Sequence, residues 1–251
     1  MAGSEAVIEI RQLSHLEEFE EVLRLQQVIW GFADVELLPL RFLVVVTKVG
    51  GHVFGAFDVA KAGPPMVGFC FAIPGVKPPG RPYLHSHMLG VLPAYHNAGI
   101  GRRLKLRQRE EALSRGIGLI EWTFDPLELK NAFLNIQRLG AIVRRYNENQ
   151  YGVTHSPLHG GLPTDRLIAE WWLDSPRVHA TLAGEKVEHN PVDRISYPSD
   201  IARIRANEPG RAREIQAANA EKFLGAFDRG LAVTGFERTG TEGTYLLEPW
   251  Q

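Results

Sequence analysis

The chain has 251 residues, 44% of them hydrophobic, enough for one large domain or two small ones with a real core. Its 28 Lys and Arg balance 29 Asp and Glu, so a net charge of -1 excludes whole-chain attraction to nucleic acid or an anionic membrane and confines any anion site to a local patch. A lone cysteine, Cys70, excludes an internal disulfide framework and a multi-cysteine zinc site, and fits a reducing compartment. Met1 to Arg11 lacks the pattern of a signal peptide, and the longest apolar run, residues 37–46, is broken by Pro39 and Arg41, well short of a membrane span. The expected location is cytoplasmic, with no membrane partner.

The alternation of "AVIEIRQL" from Ala6 predicts a strand. Ser14 and Glu17 then read as a capping box for a helix with an apolar stripe through Leu16, Phe19, Leu23 and Trp30, stopped by Gly31. A second helix is expected over 35–48, followed by an antiparallel hairpin, "HVFGAFDVA" and "MVGFCFAI". The strand "PYLHSHMLGVL" precedes a charged helix from Gly99 to Arg115, and "LIEWTFD" is the next strand. Asp125, Pro126 and Glu128 predict a helix start, with Leu129, Ala132, Phe133 and Ile136 inward and Gly140 as the stop. "AIVRRY" and "RLIAEWWL" read as strands, residues 175–200 as a linker or wrapping segment, 209–229 as a helix, and "LAVTGFER" and "TYLLEPW" as a closing pair of strands.

The stretch "VLPAYHNAGIGRRLK" at 91–105 stands out chemically. Glycines at a helix start expose unpaired backbone N–H groups at the positive end of the helix dipole, and they let an anion approach closely. Arg102, Arg103 and Lys105 add counter-charge within the same turn and a half. A dinucleotide fingerprint would need a third glycine where Leu104 stands, and a P-loop would need Gly-Lys-Ser/Thr, so neither fits. The remaining readings are a phosphate cradle or a plain glycine-turn helix start.

The order of elements around "V-x-P-x-Y-x-x-x-G-x-G-R-R-L", with a later helix ending in Leu-Gly, resembles the GNAT superfamily of acyl-CoA-dependent N-acyltransferases over residues 6–173. More narrowly, "WTFDPLELKNAFLNIQRLGA" with "HSHMLGVLP" is similar to a set of acetyltransferases of unassigned substrate. The resemblance implies an α/β (α+β) fold, a mixed, mostly antiparallel sheet flanked by helices, over 1–174, with a C-terminal extension at 175–251 packed on the core. It implies acetyl-CoA, or another acyl-CoA, as co-substrate. The family's pyrophosphate loop falls on His96, Asn97, Ala98, Gly99, Ile100 and Gly101, with His96 where Gln or Arg is usual. Amides of Gly99, Gly101 and Arg102 would hold the pyrophosphate beside Arg103. Leu89, Gly90 and Val91 would line the pantetheine arm as an added strand, with Asn131 touching the same arm.

Transfer to an amine requires that the amine lose a proton. The family's strand carboxylate is replaced here by His87, with His85 two residues before it, and imidazole is suited to the role of base. The usual Tyr acid falls on Ile136; Tyr146 and Tyr151 lie beyond it, with Tyr146 the preferred candidate donor and Glu121 a relay through water. For each, packing, a carbonyl bond or an ion pair is the structural alternative. No metal is expected, since the His pair at 85 and 87 lacks a third ligand by spacing. The expected acceptor is a small-molecule or peptide amine, with homodimerisation and no nucleic acid. The rival readings are a non-catalytic binder of acyl-CoA or another ligand, and nucleic-acid binding along Arg102, Lys105 and Arg109.

Overall fold

The computed structural model describes residues 6–63, 65–152 and 161–250 and divides into two compact units, 1–120 and 121–251. The fold is mixed, a largely antiparallel sheet flanked by helices.

In the first unit the strands β1 (Ile8–Gln12), β2 (His52–Asp58), β3 (Met66–Lys77) and β4 (Arg81–Val91) pair in that order, each antiparallel to the next. Strand alternation sends residues to two faces. Val53, Phe69 and Phe71 join a core with Phe19, Val22, Leu25, Leu43 and Val46 of the helices α1 (Leu16–Trp30) and α2 (Leu40–Lys48). Phe54, Ala56 and Cys70 face the other way and pack on Ile100 and Leu104 of α3 (Ile100–Ser114).

Two starts differ from the sequence reading. The cap of α1 is His15, not Ser14, and Glu18 reaches back to the amides of both at 2.9 and 3.1 Å. The buried stripe is accordingly turned toward Val22 and Leu25, and Leu16 is exposed. The expected helix over 35–48 begins only at Leu40, because Pro39 holds Leu38 away from helical backbone angles. Of the "KAGPP" turn between β2 and β3, Pro64 lies outside the described residues.

In the second unit, β5 (Leu119–Phe124), which begins at the boundary, is followed in the sheet by β7 (Arg166–Trp172), β6 (Ile142–Asn147), β9 (Leu231–Arg238), β10 (Glu242–Pro249) and β8 (Asp193–Pro198). The closing hairpin β9–β10 thus joins the sheet at β6, where Val233 pairs with Val143. Residues 175–200, expected as a linker, contain α5 (Pro176–Ala183) and β8. Their start and stop signals are ordinary: Ser175 accepts the amide of Val178, Pro176 opens the first turn, and Gly184 caps in the left-handed conformation. The segment's Pro, His and charged residues hid them. Beyond it lie α6 (Ile201–Asn207) and α7 (Pro209–Asp228), the latter burying Phe223 and Ala226, with Phe227 half-buried.

The helix expected from Asp125 starts three residues later. Asp125 Oδ1 instead accepts the amide of Leu127 at 2.8 Å, closing a turn, and its other oxygen takes Nη1 of Arg205 at 3.0 Å. α4 (Leu129–Ala132) then widens into a π-helical segment, Phe133–Arg138, whose wider turn leaves Phe133 exposed and buries Asn135.

Trp171 is fully buried, edge-on to Trp122 at 6.0 Å, and its indole N–H donates to Leu139 O at 2.7 Å. Trp171→Phe leaves that carbonyl unpaired and a small void beside it. We expect a loss of about 2–4 kcal/mol in urea denaturation. An unchanged midpoint would contradict this packing.

Candidate functional site

The first unit gathers most of the candidate residues at one end of β4. The ladder between β3 and β4 pairs Phe71 with Met88 and Ala72 with Ser86, so His87 is the extra residue of a bulge. Bulges re-aim side chains and interrupt pairing. Here His87 is exposed, its ring 5.4 Å from that of Phe71 and 5.7 Å from that of His85. Desolvation by the surrounding protein lowers the pKa of His87. The same effect, reinforced by the neighbouring positive charge of His87 and Lys105, lowers His85 to about 4. Both imidazoles are therefore neutral at pH 7 and able to accept a proton.

Past the bulge, Leu89, Gly90 and Val91 continue the strand opposite Cys70, Phe69 and Gly68. Gly90 is required by space, since a Cβ there would lie 2.5 Å from the Trp30 ring of α1. A single turn, Pro93–Tyr95, then leads to the glycine stretch. Three contacts fix this loop. The Tyr95 hydroxyl donates to Asp58 at 2.8 Å and accepts from Lys61 at 2.6 Å. His96 Nε2 bonds the carbonyl of Val91 at 2.9 Å, so the residue that departs from the family pattern ties the loop to the end of β4. Arg103 donates to Ile8 O of β1 at 2.6 Å, which anchors the first turn of α3.

Asn97 and Gly99 both have positive φ, +64° and +73°, and Gly99 is the N-cap of α3. Asn tolerates this region and glycine enters it without strain, whereas a Cβ at Gly99 would be strained by the backbone alone. Nothing lies within 4 Å of where that Cβ would be, so the approach to the helix start is open. By helix geometry the first-turn N–H groups have no acceptor within the helix, and Arg102 stands in the same turn. Residues 96–102 thus fit an anion such as a pyrophosphate.

The other three candidates belong to the second unit. Asn131 is exposed in the single turn of α4. Glu121 is buried and its carboxylate accepts from Arg145 at 2.5 Å. Tyr146 is buried too, stacked on Phe223 at 5.6 Å, and its hydroxyl donates to Asp165 at 2.6 Å. Burial, with the Asp165 carboxylate beside it, pushes the phenol pKa far up. Its proton is held by Asp165 and is hard to release, which disfavours Tyr146 as the donor. The ion pair equally accounts for Glu121 without a relay.

Sequence reasoning missed a polar chain behind the site. Lys105, expected on an exposed basic stripe, is only 3% exposed, and its ammonium donates to Ser86 Oγ at 2.8 Å. Ser86 donates to Gln108 Oε1 at 2.9 Å, and Gln108 Nε2 meets His52 Nε2 at 3.1 Å. His52 Nδ1 meets Glu111 at 2.8 Å, and Glu111 also takes Arg115 at 2.8 Å. Burial lowers the His52 pKa, so the ring is neutral, and the Gln108 contact places its proton on Nδ1. The signal was in the sequence: with Leu104 and Ala112 as the inner stripe of α3, position 108 should be apolar, yet it is Gln. Among the described residues no group of three or more His, Cys, Asp or Glu is placed to hold a metal ion, and no helix is long and apolar enough to cross a membrane.

With this geometry the chain can be set beside known proteins. No family model matches the sequence, and no curated protein matches it either. Solved structures do match. NAA60 from Arabidopsis thaliana, in complex with acetyl-CoA, aligns with a TM-score of 0.54 at 14% identity, over 66% of this chain and 99% of that one. The fold is that of the GNAT superfamily. A GNAT-family protein from Desulfovibrio desulfuricans gives a TM-score of 0.52 at 16% identity, over 66% and 99% of the two chains. The ribosomal-protein-S18-alanine N-acetyltransferase from Escherichia coli gives 0.51 at 16%, over 67% and 96%.

Lys105 gives this GNAT fold a pH signature. Burial lowers its pKa to about 7, against 10.5 in the unfolded chain. Between those values the unfolded state binds more protons, so stability rises with pH, at most about 1.4 kcal/mol per pH unit for one group. Other groups around it titrate outside pH 7 to 9: His52 and His85 lie below 6.5, and buried Cys70 is raised to about 12. Thermal unfolding of the wild type should shift upward from pH 7 to 9, and Lys105→Met should remove the shift. Parallel curves for the two proteins would contradict the assignment.

Proposed function

We propose that the chain is an acyl-CoA-dependent acyltransferase that moves an acetyl group directly to a primary amine of a small molecule or peptide. One observation carries the reading: a strand with a bulge leads through a tied loop into a left-handed Gly99 cap that opens a helix, with nothing within 4 Å of where the Gly99 Cβ would be. That arrangement suits an elongated ligand with a pyrophosphate in the middle. The pyrophosphate would lie on the amides of Gly99, Gly101 and Arg102, and the pantetheine arm along Leu89 to Val91. The GNAT fold supports the reading, as does NAA60, which is solved with acetyl-CoA, and the Escherichia coli neighbour, named for N-acetylation of an alanine.

In this proposal His87 takes a proton from the attacking ammonium, the freed nitrogen pair adds to the thioester carbonyl, and an amide N–H near the end of β4 bonds the developing oxyanion. The C–N bond forms, the tetrahedral nitrogen gives its second proton to water, the C–S bond breaks, and the thiolate leaves. A thiol pKa of about 8.5 lets that thiolate take its proton from the imidazolium or from water. No separate tyrosine donor is needed.

Titration calorimetry with acetyl-CoA should give saturable binding to the wild type that Gly99→Arg abolishes, because the new side chain strains the cap and fills the approach. Thiol release in an amine screen should then fall by about 10²–10⁴-fold in His87→Ala. The wild-type kcat/KM should drop as pH falls through the lowered His87 pKa, below 6.5. Absence of binding to any acyl-CoA would overturn the proposal; binding without thiol release would favour a non-catalytic acyl-CoA binder.

A further inference from the structure

We infer that Lys105 and Ser86 form a clamp that fixes the β4 bulge against α3, making Lys105 a positioning residue that sets where His87 and the strand end lie relative to the α3 cradle. The inference rests on the acyltransferase reading for its catalytic consequence, and on the geometry alone for the clamp.

Ser86 immediately precedes the bulged His87, and its hydroxyl is held from two successive positions on α3, by Lys105 at 2.8 Å and Gln108 at 2.9 Å. A bulge lacks the regular ladder that pins a strand, so its conformation must be fixed by something else. Here that is a side chain whose neighbours on either side, His85 and His87, point to the opposite face. The same helix that holds Ser86 begins, six residues before Lys105, at the Gly99 cap. One rigid element therefore contacts the proposed phosphate end of the ligand and braces the strand that bears the proposed base.

Proton relay is the obvious alternative for a chain of this kind, and its chemistry argues against it. The hydrogen bonds run in one direction from Lys105 through Ser86 and Gln108 to His52 and Glu111. Their middle member is a carboxamide, which does not ionise near neutrality and so does not hand protons on. What such a chain does well is hold atoms still. Glu111 and Arg115 anchor its far end, with Arg115 bonded to Gly50 O at 2.6 Å.

A buried ammonium that only supported the fold would be poorly chosen, since an apolar group of similar length would pack there without the desolvation cost. A positioning role predicts a different pattern. Lys105→Met should be at least as stable as the wild type at pH 7 and bind acetyl-CoA within about threefold, while kcat falls at least about tenfold. Ser86→Ala, which removes a single oxygen, should reproduce the loss of kcat and is the fallback if Lys105→Met does not fold. Amide hydrogen exchange in the ligand-free protein supplies the second readout. Residues 86–89 should exchange at least about tenfold faster in both variants, while Val53 to Phe57 of β2 keep their rates. Unchanged exchange at 86–89 would overturn the clamp, and unchanged kcat with faster exchange would overturn the positioning role. Should the wild type fail to bind or turn over acyl-CoA, the acyltransferase reading falls, and the exchange measurement still decides the clamp.

Discussion

Backbone amides that a helix cannot satisfy must find a partner, and the junction of β4 with α3 concentrates that requirement at one exposed place. The first turn of α3 has N–H groups with no intrahelical acceptor. Gly99, at a φ that side-chain-bearing residues rarely adopt, caps that turn, and nothing lies within 4 Å of where its Cβ would be. The surrounding contacts of Tyr95, His96 and Arg103 all serve to keep that junction where it is. Much of the first unit can be read as a frame around the start of one helix.

Behind that frame the protein keeps a charged group where an apolar one would be cheaper. Lys105 faces Ser86 in the interior rather than extending along the surface with Arg102 and Arg109. This takes Lys105 out of the basic stripe that a helical wheel suggests. A side chain that costs stability and sits next to a strand irregularity fits the general rule that functional regions carry local violations of good packing.

The architecture was legible where local signals agree with burial. The β2–β3 and β9–β10 hairpins, the strand before the glycine stretch and the limits of α3 follow from alternation and from Gly99 and Gly116. Legibility failed where a tertiary partner decides. Asp125 looks like a helix cap by spacing, but Arg205, 80 residues away, shares it with Leu127. Asn131 and Asn135 should share a helix face at four apart, yet the π-helical turn buries one and exposes the other. At the site, the glycine turn that opens α3 could be read from spacing, while its reading as a cradle came from the family resemblance. The bulge at His87 could not, since an extra strand residue has no mark in sequence until its partner is known. Tyr146 was singled out for its chemistry, and its bond to Asp165 is a contact that one sequence cannot reveal.

The central claim is that the amides opening α3 bind the phosphates of an acyl-CoA. The most direct test is the amide spectrum of isotope-labelled protein titrated with acetyl-CoA, alongside the same titration with pantetheine, which lacks the phosphates. The account predicts that the N–H resonances of Gly99, Gly101 and Arg102 move with acetyl-CoA and stay in place with pantetheine. Resonances that ignore both ligands, or follow pantetheine equally, would contradict it.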